Sequence, residues 1–339
     1  MFKKISIRDL TAKPGNKTFG FIKVAERPGS IVEMPVGIVN GSRPGPILCI
    51  TAGTHAVEYP GINAVIRIYR QTDPKNLRGA LLTVPVVNLP AFDIQTPFVC
   101  PIDNKDVAYL IPGKKDGTMS HRIANTLVEE VIKKADVYID VHGGDLPEWI
   151  VPWVIFKETG NDLIDKQTET MARLYGTELL EKTTRPIMNI GKDIPVIVGE
   201  AGGLGTYEET DISLHVHGIT NIMKYLDMID GKPQRPGTQS LFETKMPEQA
   251  LDSTESAGFR IIHTNRGGLL YPKVKPGDHI REGQILGDVG DLKGDIIEQI
   301  VAPISSTIIM MYPKHVVNEG DPIFFVAPVE ELPPIELDI

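Results

Sequence analysis

The sequence predicts an α/β protein: a mostly parallel mixed sheet with helices on both faces, followed by a small all-β C-terminal module. Three observations carry that expectation. Up to about residue 230, short apolar runs of strand length alternate with stretches of helical periodicity. Several of those runs are followed at once by glycine or a tight turn. After the linker Gly231-Lys-Pro-Gln-Arg-Pro-Gly237 the helical pattern stops, and short strands and turns take over.

Residues 1–45 read as β structure, with Phe19-Gly-Phe-Ile-Lys-Val-Ala and Ser30-Ile-Val-Glu-Met-Pro-Val-Gly-Ile-Val rich in β formers. Asn40-Gly-Ser-Arg-Pro-Gly45 is a turn, and Pro46-Ile-Leu-Cys-Ile50 is the first buried strand. Gly61–Arg70 is a helix, with Ile62, Val65, Ile66 and Tyr69 on one face. Gly79–Asn88 is a further buried strand. Residues 89–118 are rich in Pro and Gly and form a long loop, a length usually reserved for function. Ser120 is placed to cap the next helix, whose stripe comprises Ile123, Leu127 and Val131 with Ala124, Val128 and Ile132. Ala135–Gly144 is a strand, Val151–Phe156 another, 161–175 a helix, Pro195–Gly203 a strand and 210–229 an amphipathic helix.

The expected boundaries are 1–235 for the α/β domain with its N-terminal β segment, 236–256 for a linker and 257–330 for the β module. That module contains an internal echo. Arg281-Glu-Gly-Gln-Ile-Leu-Gly-Asp-Val289 and Asn318-Glu-Gly-Asp-Pro-Ile-Phe-Phe-Val326 share Glu-Gly, an apolar pair and a final Val. Two similar β halves related by a pseudo-twofold follow from it. The unit resembles a barrel-sandwich module of the biotinyl/lipoyl type, but Lys293 sits in Asp-Leu-Lys-Gly rather than between hydrophobic residues. It is therefore read as unmodified.

Composition narrows the function. A 339-residue chain with 41% hydrophobic and 23% charged residues is ordinary for a globular protein with ample core. A net charge of −9 offers no attraction to nucleic acid or to anionic membranes. Two cysteines, Cys49 and Cys100, form neither a disulfide framework nor a zinc knuckle. No signal segment or apolar run of membrane-spanning length is evident, so the cytoplasm is the expected location. Whether the chain forms a homo-oligomer is left open.

The chemistry gathers at strand ends. Thr51-Ala-Gly-Thr-His-Ala-Val-Glu-Tyr-Pro-Gly61 carries His55 and Glu58 at the carboxyl end of the first strand, where open α/β sheets place ligands. One tight turn can aim an imidazole and a carboxylate at one point, which is half of a zinc site. A lone His-x-x-Glu is weak. Two further strands, however, end in His142 and Glu200, and parallel neighbours would bring all three ends together. Asp140 lies on the same strand face as His142 and either holds that imidazole or makes local bonds at the sheet end. His215 and His217 fall on the 210–229 helix, where half-exposed packing is the better reading.

Taken in order, these segments resemble the succinylglutamate desuccinylase/aspartoacylase family, which is related to zinc carboxypeptidases. The resemblance spans nearly the whole chain, including Val-Pro-Val-Val-Asn-Leu-Pro-Ala-Phe92, Asp140-Val-His142, Gly199-Glu-Ala-Gly-Gly203 and the added β module. It implies that His55, Glu58 and His142 bind one Zn2+ and that Glu200 is the general base. The reaction implied is hydrolysis of the amide bond of a small N-acyl compound. A zinc carboxypeptidase, or a degenerate member serving in binding or assembly, are the rival readings.

The chain departs from the family in places. Position 56 is Ala where the family has Gly. Pro97 stands where an Arg is usual, and Ala108 and Tyr109 replace an Asn-Arg pair. The forked donor for a substrate carboxylate is therefore lost from those positions. Tyr109 is the expected substitute donor to substrate. Arg122, Arg185 and Lys192 are the other cations available, each more readily read as solvated surface charge.

Overall fold

The computed structural model describes residues 3–184, 190, 194–244 and 259–335. Its centre is a ten-stranded mixed sheet. Across it run Glu330–Leu332, Gln239–Thr244, Leu179–Thr183, Trp153–Phe156, Val196–Glu200, Val137–His142, Arg43–Ala52, Arg78–Val84, Ser30–Asn40 and Asn16–Arg27. Val196–Glu200, Val137–His142, Arg43–Ala52 and Arg78–Val84 are successively parallel. Trp153–Phe156 meets this block antiparallel, which makes the sheet mixed. The three strands expected to deliver site residues are thus immediate neighbours.

Both faces are covered, as near-continuous apolar strands require. Tyr59–Gln71, Asp162–Leu174 and Glu209–Tyr225 pack on one face through Ile62, Val65, Ile68, Met171, Ile219 and Ile222. Ile68 rather than Ile66 completes the first helix's stripe, since Ile66 is 41% exposed. On the other face every expected stripe residue, from Ile123 to Ile132, is buried. That helix is α over Met119–Thr126, then widens to a π turn over Leu127–Val131. Ser120 does not cap it. Thr118 holds the cap position, and the Ser120 hydroxyl donates to Asp103 Oδ1 at 2.6 Å inside the first turn.

The segment expected to be a linker contains a strand. Gln239–Thr244 pairs in parallel with Leu179–Thr183, and Phe242 is buried in the core. Gln239 donates to the carbonyls of Arg173 and Thr177, which pins the strand to the domain. The chain then builds the β module and returns to the same sheet through Glu330–Leu332.

The echoed segments take matching structures. Gly283 and Gly320 both adopt positive φ, at 81° and 86°, in turns closed by Gln284 N–H to Arg281 and Asp321 N–H to Asn318. Each turn leads into a core strand, Ile285–Gly290 or Pro322–Ala327, and these lie in different sheets of the module. Lys293 is exposed in a turn and pairs with Asp291 and Asp295. The module docks on the α/β domain through Trp149–Ile150, which pairs antiparallel with Met310–Met311.

Candidate metal centre and active site

The loop after Arg43–Ala52 turns the chain into helix Tyr59–Gln71, with Glu58 at the N-cap position. Pro60 sits at the helix start, where its missing N–H costs nothing. Gly61 lets this first turn approach strand Val137–His142, because a Cβ there would lie 3.0 Å from Val141 Cγ1 and from its carbonyl oxygen. The Glu58 side chain makes no capping bond and turns instead to the sheet. Its Oε1 is 2.8 Å from His55 Nδ1, and its Oε2 is 2.9 Å from His142 Nδ1. Gly143 N–H donates to the same Oε2 at 3.2 Å.

Both histidines therefore present Nδ1 to a common point. Their other ring nitrogens are held by separate carboxylates. His142 Nε2 lies 3.2 Å from Asp140 Oδ2, and His55 Nε2 lies 3.3 Å from Asp106 Oδ1. Asp140 in turn accepts from Thr51 Oγ1 at 2.5 Å, and Thr51 Oγ1 is 2.8 Å from the Tyr138 hydroxyl. The ligand atoms of His55, Glu58 and His142 all lie within 4.8 Å of one another. Two imidazoles and a carboxylate, each imidazole backed by a second carboxylate, form a donor set that suits zinc.

Electrostatics agree with the geometry. Burial pushes the Glu58 carboxyl up, but His142 and His55 outweigh it and pull its pKa down to about 2. Burial opposes charge on His142 and His55 as well. Glu58, with Asp140 and Asp106 respectively, nevertheless holds both imidazoles well above their ordinary value. A metal cation could be held among these three side chains.

Glu200 ends the neighbouring strand in register with His142, as its Cα partner. Gly199 beside it leaves room for Tyr175, whose hydroxyl would lie 2.5 Å from a Cβ at that position. Tyr175 is itself 2.7 Å from His215 Nδ1. His215 is fully buried, not half-exposed, and burial lowers its pKa to about 4. It supports the Glu200 strand and is not one of the grouped ligands. His217 is exposed.

The long loop folds over this centre. Phe98 lies edge-on to the His55 ring with centroids 6.1 Å apart, and its N–H donates to Asp145 Oδ2 at 2.8 Å. Tyr109 is 45% exposed on the short helix Ala108–Leu110. Arg122 does not reach the centre: its Nε donates to the Gly117 carbonyl, in a surface groove shared with Lys115, Asn125 and Glu129. Arg185 and Lys192 lie outside the described residues. Asp106 is the site residue that sequence reasoning missed. It lies two residues before Ala108, in the segment where the resemblance to the family fails.

The sheet and its strand-end residues define a zinc carboxypeptidase-like α/β protein with an added β module. The chain belongs to the succinylglutamate desuccinylase/aspartoacylase family, whose catalytic-domain profile matches residues 44–226. It is 23% identical over 326 residues to the N-alpha-acetyl-L-2,4-diaminobutyric acid deacetylase of Halomonas elongata, covering 92% of each chain. A succinylglutamate desuccinylase/aspartoacylase from Rhodobacter sphaeroides superposes with a TM-score of 0.78 at 21% identity, over 93% of this chain and 96% of that one. The product-bound ectoine utilization protein of Ruegeria pomeroyi also gives 0.78, at 20% identity over 91% and 94%. No helix among the described residues is long and apolar enough to cross a membrane.

Proposed function

We propose that the protein is a zinc-dependent amidohydrolase that removes the acyl group from a small N-acyl amine. The observation that carries this reading is the convergence of His55 Nδ1 and His142 Nδ1 on Glu58, with Glu200 beside His142. His55, Glu58 and His142 would hold one zinc, leaving a position open. When bound, zinc lowers the pKa of a water toward about 7 and polarises the scissile carbonyl.

The chain's own residues do the rest. Glu200 accepts the proton of the attacking water and delivers it to the leaving nitrogen, so that an amine rather than an amide anion departs. Asp140 and Asp106 fix the two imidazoles with Nδ1 facing the centre. Phe98 covers His55 and limits access of bulk water. Tyr109, on the exposed part of the loop, offers its hydroxyl to the substrate. The family membership and a deacetylase as relative support an acyl-amine substrate over a peptide.

The test is a screen of zinc-reconstituted protein against N-acyl compounds with and without free carboxylates. Metal-dependent release of the amine is expected, and its abolition in Glu200→Gln. Stoichiometric metal with no turnover of any N-acyl compound would refute the proposal.

A further inference from the structure

Behind the carboxyl end of the sheet two fully buried polar side chains meet. Tyr175 holds the C-cap position of helix Asp162–Leu174, and His215 lies in helix Glu209–Tyr225. Strand alternation decides how the neighbouring strand faces them. Ile197 packs in the same core as Tyr175, whereas Val196 and Val198 belong to the core on the other face, with Tyr138. Gly199 therefore faces the pair. Glu200 emerges on the opposite face, beside its partner His142.

The pair is fitted to that strand end. A Cβ at Gly199 would lie 2.5 Å from the Tyr175 hydroxyl, and one at Gly218 would lie 2.7 Å from the Tyr175 ring. Two missing side chains thus make the slot that the tyrosine fills. Its hydroxyl is 2.7 Å from His215 Nδ1, and His215 Nε2 is 3.4 Å from the Ala201 carbonyl oxygen. A carbonyl only accepts, so Nε2 carries the imidazole proton and Nδ1 accepts from the tyrosine. Ala201 passes the contact on to the metal centre. Its N–H donates to the His142 carbonyl at 3.3 Å. Its own carbonyl oxygen would lie 2.4 Å from a Cβ at Gly143, whose N–H donates to Glu58. A continuous chain of bonds therefore runs from Tyr175 through His215 and Ala201 to the backbone of His142.

We propose that Tyr175 and His215 are positioning residues for Glu200. They hold Gly199 and Ala201, the residues on either side of it, and so keep its carboxylate beside His142. The inference rests on the deacylase reading, in which that carboxylate carries the proton from water to the leaving nitrogen. Both side chains lie across the sheet from the carboxylate and act through the backbone alone. Glu200 is the last residue of its strand, and Ala201-Gly202-Gly203 follows, so the backbone on each side sets its direction. Proton transfer needs hydrogen-bond reach, and a misplacement of about 1 Å can cost a factor of about a hundred. Hydrogen bonds fix direction where apolar contact does not, and a fully paired buried network specifies one arrangement.

The experiment measures kcat, KM and zinc content of wild type, Tyr175→Phe, His215→Leu and His215→Gln on the N-acyl compound that wild type turns over fastest. Tyr175→Phe keeps the ring in its slot and removes only the hydroxyl. This variant and His215→Leu are expected to lower kcat about tenfold to a hundredfold, with KM within a factor of about three and zinc at the wild-type level. His215→Gln can still donate to the Ala201 carbonyl and is expected to recover most of kcat. Crystal structures of wild type and Tyr175→Phe, with and without zinc, give a reading that needs no turnover. The Glu200 carboxylate should shift or split in the variant while His142 stays in place. Wild-type kcat in folded Tyr175→Phe and His215→Leu, losses that follow zinc content or KM, or an unmoved Glu200 would each overturn the proposal. A displaced Glu200, with no hydrolysis of any N-acyl compound by wild type, would uphold the positioning and remove the deacylase reading. Turnover by wild type with unaltered kcat in the variants would do the reverse.

Discussion

Glu200 and His142 are Cα partners on adjacent parallel strands, so a carboxylate and an imidazole leave the sheet side by side. The proposed mechanism gives them different roles. His142 is locked between Glu58 and Asp140, whereas Glu200 takes no part in the grouped ligand atoms. Glu200→Gln should therefore keep its metal and lose turnover, by a factor of about a hundred or more. Metal analysis and kcat on the same sample check this. Loss of metal together with activity would assign Glu200 to the ligand set instead.

The ligand assignment makes its own forecast. Purified protein should hold about one zinc per chain. His142→Ala should lower that content sharply, and Glu58→Gln should lower it too, because a neutral amide is a poorer ligand than a carboxylate. Elemental analysis reads both directly. Undiminished zinc in His142→Ala would end the assignment.

Asp140 and Asp106 should matter without touching the metal. Each binds the ring nitrogen that faces away from the centre, fixing tautomer and ring orientation. Asp140→Asn and Asp106→Asn should each weaken zinc affinity about tenfold to a hundredfold. Competition with a chelator measures the change. Affinities equal to wild type would mean that packing alone orients the imidazoles.

The asymmetry between those two aspartates shows what could be read in the chain. Asp140 was legible because strand alternation puts residues two apart on one face, so its link to His142 is local. Asp106 meets His55 across 51 residues, from a Pro-rich loop with no periodicity to orient it. His55, Glu58, His142 and Glu200 were legible for the same local reason, each lying at or just beyond the end of an apolar strand. Gln239–Thr244 was hidden because its polar residues resemble a linker, and only docking against Leu179–Thr183 makes it a strand. The pairing of Trp149–Ile150 with Met310–Met311 has no local signal at all, because its partner strand comes from a distant module.

The last prediction concerns acid stability and follows from His215. The side chain is buried, with Nδ1 accepting from the Tyr175 hydroxyl and Nε2 3.4 Å from the Ala201 carbonyl oxygen. Protonation would bury a charge, and burial lowers its pKa to about 4. An unfolded chain takes this proton near the ordinary histidine value of about 6.5. Between those two values the unfolded state binds more protons, so stability drops as pH falls from about 6.5 and the loss is complete below about 4. The shift corresponds to roughly 3 kcal/mol at most. His215→Gln keeps a polar side chain of similar reach at the same place but does not titrate. Other carboxylates titrate in the same range, so the informative quantity is the difference between wild type and variant in unfolding free energy against pH. That difference should slope between about pH 4 and 6.5 and be flat above. Parallel curves across the whole range would show that His215 carries no such penalty and that Tyr175 supports the Glu200 strand without it.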